Sequence, residues 1–238
     1  MANFTVHKLV EACREPGCPV CRLEQQSVER YLDNQFYENV NSPKWRDQLR
    51  LSLGFCREHA WLAVDKRLGD PLGFSIIYRD LVNSVMKRLE TDERPARAPR
   101  GWTALLRQIP EEVRARIASS LAAVTPHKRC PVCEHRDEMT RNTVTVLLEE
   151  LKQPEMVTAL RDSQGVCLPH LRQALEQMRD VSVLEKLLGI QREKLESLRA
   201  ELDEFIRKND YQFAVEGFGS ERDAWLRALA MVLGKKNE

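Results

Sequence analysis

The chain has few glycines, few aromatic side chains and no excess of charge of either sign. Its ten glycines are scattered over 238 residues and form no phosphate-cradling loop. Lys+Arg 37 against Asp+Glu 36 leaves no global field of the kind that broad phosphate-backbone binding needs. No apolar run approaches the roughly 18 residues of a membrane-spanning helix. The opening MANFTVHKLVEA lacks both the basic and the apolar segments of a secretory signal, so a cytoplasmic protein is expected. There is no nucleophile elbow, no H-E-x-x-H and no calcium-binding loop. These absences point away from an enzyme and name no catalytic residue.

What the chain does have is cysteine in an ordered pattern. Cys18-Pro19-Val20-Cys21 is followed by a second pair in GFCREH, Cys56 and His59. Cys130-Pro131-Val132-Cys133 is followed in the same way by GVCLPH, with Cys167 and His170. From Cys21 to Cys56 is 35 positions, and from Cys133 to Cys167 is 34. Two C-x-x-C…C-x-x-H sets with matched internal spacing form an internal repeat. An odd total of seven cysteines, in close pairs, does not read as a secreted disulfide framework.

Three thiolates and an imidazole suit tetrahedral Zn²⁺. Cys18, Cys21, Cys56 and His59 form one expected ligand set; Cys130, Cys133, Cys167 and His170 form the other. Pro19, Pro131 and Pro169 place the pairs at helix starts, where unpaired N–H groups and the helix dipole favour thiolate. A three-residue spacing puts both members of a pair on one helical face. Four protein ligands close the site, and closed zinc sites are structural. Three rival readings stand beside zinc: buried small hydrophobes, thiol–disulfide exchange, and iron–sulfur clusters held by the same sets. Cys13 is read as a plain thiol, and His7, His127 and His135 as surface residues, the last two with a second role as outer partners of a metal site.

The expected fold is all-α, with two tandem units, each pinned by its own Cys3His site, and a C-terminal helical tail. The expected boundaries are 1–91 for the first unit, 92–110 for a Pro/Arg linker, 111–209 for the second unit, and 210–238 for the tail. Within a unit, a long helix after the C-x-x-C pair climbs, and a short helix (43–52 or 154–163) returns. Ser42 is the expected cap of the first short helix, with Pro43 at its first position. The return brings the C-x-x-H pair back to the start of the same hairpin.

Three further segments carry readings. Helix 170–209 is expected to be nearly continuous, with a stripe at Leu184, Leu188, Gln191, Leu195, Leu198, Leu202 and Phe205. Internal packing is the favoured reading of that 184–205 seam; a homodimer or partner-protein surface is the other. Arg94, Arg97 and Arg100 give the linker a basic face, either solvated or in contact with nucleic acid. In the tail, Ser220 is the expected cap of a last helix whose apolar side, Trp225, Leu226, Leu229, Val232 and Leu233, folds onto the bundle.

CPVC…GFCREH and CPVC…GVCLPH, with RKNDYQF…DAW in the tail, resemble an uncharacterised bacterial family classed as a domain of unknown function. The resemblance implies a cytoplasmic bacterial protein with metal sites, and it adds no catalytic residue. The reading that follows is a non-enzymatic, zinc-stapled helical scaffold that binds another macromolecule, more readily a protein than a nucleic acid. The competing reading is an iron–sulfur or thiol redox protein.

Overall fold

The computed structural model describes residues 2–90, 110–213 and 215–234. Arg94, Arg97 and Arg100 lie outside the described residues. Among the described residues there are eleven α-helices and no strand, so the all-α expectation holds. The helices are α1 (Ala2–Cys13), α2 (Pro19–Glu38), α3 (Pro43–Ser52), α4 (Arg57–Asp65), α5 (Pro71–Glu90), α6 (Glu111–Val124), α7 (Pro131–Glu150), α8 (Pro154–Asp162), α9 (Leu168–Gln177), α10 (Val181–Lys208) and α11 (Ala224–Leu233). No described helix is long and apolar enough to cross a membrane.

Proline sets much of this punctuation. Pro19, Pro43, Pro71, Pro131 and Pro154 are each the first residue of a helix, where the missing N–H costs nothing and φ is already helical. Ser42 caps α3 as expected, its hydroxyl accepting from the Trp45 N–H at 3.5 Å. Leu53 and Gly54 then end α3 in the left-handed region, φ 53° and 90°. The expected continuous helix 170–209 is instead two helices. Asp180 stops the run by accepting the Ser182 N–H at 2.9 Å and capping α10.

The chain divides into two compact units, and neither corresponds to 1–91 or 111–209. Unit 1 combines Met1–Ser27 with Arg136–Glu238; unit 2 is Val28–His135. Both boundaries fall inside helices, α2 and α7.

Unit 1 is built on Leu9 and Cys13 of α1, Val20 of α2, Val144 and Leu147 of α7, and Leu151 just after it. Met156, Leu160, Ala174, Val183, Leu187 and Ile190 from α8 to α10 complete its core. The α10 stripe is thus used internally, but its buried line runs through Val183, Leu187, Ile190 and Gln191. Gln191 is not a flaw in the seam. Its Oε1 accepts the Val166 N–H at 3.1 Å and its Nε2 lies 3.3 Å from Met231 Sδ, so its buried amide is matched on both sides.

The tail departs from expectation in two ways. Ser220 begins a short 3-10 turn (Ser220–Asp223) and does not cap α11, which starts at Ala224. Glu221 organises this turn: its carboxylate accepts from Gly219 N–H and from Lys208 Nζ, both at 2.8 Å, and Lys208 first, then the backbone donors, hold its pKa down at about 2. Second, the face of α11 that meets the bundle is Ala224 and Met231, while Trp225, Leu226, Leu229, Val232 and Leu233 are about half exposed or more. The small Ala224 lets α11 approach α10 closely, and the Arg227 guanidinium is drawn inward to the Glu201 carboxylate. Once those contacts are made, the bulkier residues face outward.

Unit 2 packs Val28, Leu32 and Phe36 of α2 against Trp45 and Leu49 of α3, Leu62 of α4, and Ile77 and Leu81 of α5. Asp80 of α5 reaches back to Arg46 at 3.2 Å and to Arg50. Phe36 sits among Phe74, 4.3 Å between ring centroids, and Phe55, 5.7 Å. Gly69, at φ +117°, backs onto the Phe36 ring so closely that a Cβ there would stand 2.6 Å from Phe36 Cγ. Gly189, inside α10, has nothing within 4 Å of its would-be Cβ. Gly69→Ala should therefore lower unfolding stability by about 1–3 kcal/mol. Gly189→Ala should raise it by roughly 0.5–1 kcal/mol. Urea denaturation of the two variants checks both signs.

Candidate metal centres

All eight ligand candidates converge, in two groups of four. The groups are Cys18, Cys21, Cys167 and His170 in unit 1, and Cys56, His59, Cys130 and Cys133 in unit 2. Within each group the ligand atoms lie within 4.8 Å of one another. Each unit is thus served by one Cys3His set, but the membership corrects the sequence reading. The C-x-x-C pair of each sequence copy meets the C-x-x-H pair of the other copy.

Helix lengths give the physical reason. α2 has 20 residues and climbs about 30 Å, whereas α3, with 10, returns about 15 Å. Gly54 turns the chain directly into α4 instead of extending it further back. Phe55 and Leu62, which flank Cys56 and His59, accordingly bury among Val28 and Leu32 from the later part of α2. Val20, between Cys18 and Cys21, belongs to the other core.

Each pair is built alike. Cys56 and Cys167 are the N-cap residues of α4 and α9, with extended backbone (φ −66°, ψ 164° and φ −64°, ψ 156°). Cys18 and Cys130 directly precede the leading prolines of α2 and α7. The second member of every pair lies in the first helical turn, three residues on, on the same face. The sulfurs are therefore set against helix starts, where unpaired N–H groups and the dipole stabilise negative charge.

The distances fit one ion per group. With Zn–S near 2.3 Å and Zn–N near 2.0 Å, tetrahedral edges are about 3.8 Å between sulfurs and about 3.5 Å between sulfur and nitrogen. In unit 1, His170 Nδ1 lies 3.6, 3.4 and 3.2 Å from the sulfurs of Cys18, Cys21 and Cys167, and Cys21 Sγ is 3.6 Å from Cys167 Sγ. In unit 2, His59 Nδ1 lies 3.1, 3.8 and 3.4 Å from the sulfurs of Cys56, Cys130 and Cys133, and Cys56 Sγ is 3.6 Å from Cys133 Sγ. Nδ1 is thus the nitrogen placed to ligate an ion in both groups.

The unit 1 group has an outer partner that sequence reasoning missed. Glu24 Oε2 lies 3.2 Å from His170 Nε2 and accepts the Thr140 hydroxyl at 2.7 Å. A proton on Nε2, donated to that carboxylate, leaves the Nδ1 lone pair for an ion. Burial works against the Glu24 charge, but the His170 and Thr140 hydrogen bonds outweigh it and lower its pKa. Burial likewise opposes charge on His170, and the sulfurs of Cys167, Cys18 and Cys21 with Glu24 overcome it, driving the imidazole pKa upward. Three sulfurs and a carboxylate around one imidazole make a setting that a divalent cation would suit. Glu24 stands three residues beyond Cys21, on the same helical face, and that spacing was the available signal.

Gly234, the C-cap of α11 at φ +83°, lies beside the group. A Cβ there would stand 3.8 Å from Cys21 Sγ and 3.9 Å from Cys167 Sγ.

The unmatched residues fall as follows. Cys13 is buried in the unit 1 core, where burial and then the Cys18 charge push its thiol up to about 12, and it belongs to neither ligand group. His135 stacks on Tyr31 with centroids 4.2 Å apart. His127 is exposed and donates its backbone N–H to Leu51 O at 2.8 Å. His7 is exposed beside Glu11 at 3.5 Å.

Fold and donor sets define a class: an all-helical protein with two closed Cys3His sets that can hold metal ions. The chain belongs to the family of unknown function DUF6062, whose profile matches residues 5–238. It is 24% identical over 229 residues to an uncharacterized 23.9 kDa protein from the xynA 3' region of Caldicellulosiruptor sp. (strain Rt8B.4). That match covers 95% of this chain and 99% of the relative. No solved structure matches the chain.

The exchanged membership is directly testable. In metal-loaded Cys18→Ser, Cys21 and Cys167 should be alkylated ahead of Cys56; alkylation of Cys56 ahead of Cys167 would restore the within-copy pairing. Glu24→Gln should weaken metal retention at the unit 1 group roughly 10- to 100-fold and leave the unit 2 group unchanged. Competition with a chromogenic chelator would read both affinities.

Proposed function

We propose that this protein is a non-enzymatic scaffold in which two zinc ions staple the helices and an exposed face binds another protein. One observation carries the metal part. Sulfur–nitrogen and sulfur–sulfur separations of 3.1–3.8 Å are those of a single tetrahedral ion with every corner taken by the chain. An iron–sulfur cluster spreads four protein ligands over two or more irons and would hold some of them further apart than the 4.8 Å that spans each group, so that reading stands second. With no corner open to water or substrate, the ion's role is structural, and its binding free energy is folding free energy.

The partner reading rests on α11. Trp225, Leu226, Leu229, Val232 and Leu233 form an apolar face without a charge, which suits a protein surface and offers nothing to a phosphate backbone. The 184–205 seam adds Leu195, 37% exposed, as a further candidate contact for a partner or a second copy. The Arg94, Arg97 and Arg100 contact with nucleic acid is the weaker alternative.

Purified protein should carry two zinc ions per chain and show no visible absorbance; a brown sample would favour iron–sulfur clusters. Leu229→Glu combined with Trp225→Ala should abolish capture of the native partner while metal content and melting temperature stay near wild type. Retained capture by that variant would remove α11 from the interface.

A further inference from the structure

The two groups differ in how they meet solvent. In the unit 1 group, Cys21, Cys167 and His170 are buried, and Gly234 lies against the Cys21 and Cys167 sulfurs. Those two sulfurs are 3.6 Å apart on the buried side of the group, whose one half-buried cysteine is Cys18. In the unit 2 group, His59 and Cys130 form the buried side, at 0% and 6% exposure, whereas Cys56 and Cys133 are both half-buried. Their sulfurs are also 3.6 Å apart. The unit 2 group therefore offers an outward-facing pair of thiolates, and they come from different helix starts, those of α4 and α7.

We propose that Cys56 and Cys133 are a peroxide-reactive pair, converted to a disulfide with release of the unit 2 ion, while the unit 1 ion stays bound. This rests on the metal reading above. One thiolate attacks an oxygen of hydrogen peroxide. The O–O bond breaks, the sulfur becomes a sulfenic acid, and hydroxide leaves and is protonated to water. The second thiolate then attacks that sulfur, the S–S bond forms, and the second oxygen leaves as water. Two thiolates lose two electrons, and one peroxide with two protons becomes two waters. The ion, left with only Cys130 and His59, loses half its donors and departs.

Metal-bound thiolates need no prior deprotonation, and exposure then decides which pair reacts. The disulfide would tether α4 to α7 in place of the ion, so oxidation would change the cross-link of unit 2 without opening that of unit 1. A thiol reductant with added zinc would reverse it.

The test uses the full-length chain loaded with zinc, treated with hydrogen peroxide, and followed by a chromogenic zinc chelator and by peptide mapping. One zinc per chain should be released about tenfold faster than the second, in step with a peptide linking Cys56 to Cys133. Dithiothreitol and zinc should restore the original content. Zinc-loaded Cys18→Ser, carrying only the unit 2 ion, should release it at the wild-type fast rate. Simultaneous loss of both ions, a first disulfide through Cys18, Cys21 or Cys167, or release without the Cys56–Cys133 link would overturn the proposal. A chain that takes up no zinc before peroxide is added would remove the metal reading itself, and this proposal with it.

Discussion

The architecture depends on one constraint: each four-ligand group is completed only by chain segments far apart in sequence. The unit 1 group joins residues 146 to 152 positions apart, and the unit 2 group joins residues 71 to 77 apart. A clamp across such separations restricts the unfolded chain far more than a local hairpin clamp would, because the loop it closes is longer. The same crossing gives each unit helices from both halves of the chain. An ion in the unit 1 group would tie the first quarter of the sequence to the last third, and its removal would act on more than the shape of one motif.

Local chemistry and global arrangement support each other here. Cysteines at helix starts receive the free N–H groups that a negatively charged metal–thiolate centre needs. Pro19 and Pro131 fix the starts of α2 and α7 beside Cys18 and Cys130, and Pro169 lies in the first turn of α9 after Cys167. The hydrophobic cores then carry the pairs into place: Val20 anchors the Cys18–Cys21 turn in one core, and Phe55 and Leu62 anchor Cys56 and His59 in the other. A buried Leu or Phe contributes about 1.5–3 kcal/mol, so the cores alone bias the partner choice before any ion arrives.

The helices, their proline starts, the short helix 43–52 with its Ser42 cap, and all eight ligand candidates were legible in the sequence, because each depends on neighbours within a few residues. Membership of the two groups was not. Matched spacing suggested that each copy closes on itself, but spacing says nothing about how far a return helix reaches, and α3 falls short of α2 by about half. The outward turn of Trp225 and Leu229 was missed for a related reason. Periodicity finds the apolar side of a helix, yet Ala224 and the Arg227–Glu201 pair decided which side α11 presents. Glu24 was hidden because a charged residue on an amphipathic helix reads as solvated until its histidine partner arrives from another helix. Asp180 ended α9–α10 continuity through a cap that looked like one more polar residue.

The exchanged ligands also set an order of events during synthesis. Cys18 and Cys21 leave the ribosome early, and their true partners follow about 150 residues later, an interval of roughly 7 to 30 s at 5–20 residues per second. Cys56 and His59 appear much sooner and offer a complete but wrong quartet to any ion already bound. Any ion taken up by the nascent chain at that stage would be held by the wrong quartet, and would have to exchange ligands once the second half emerges.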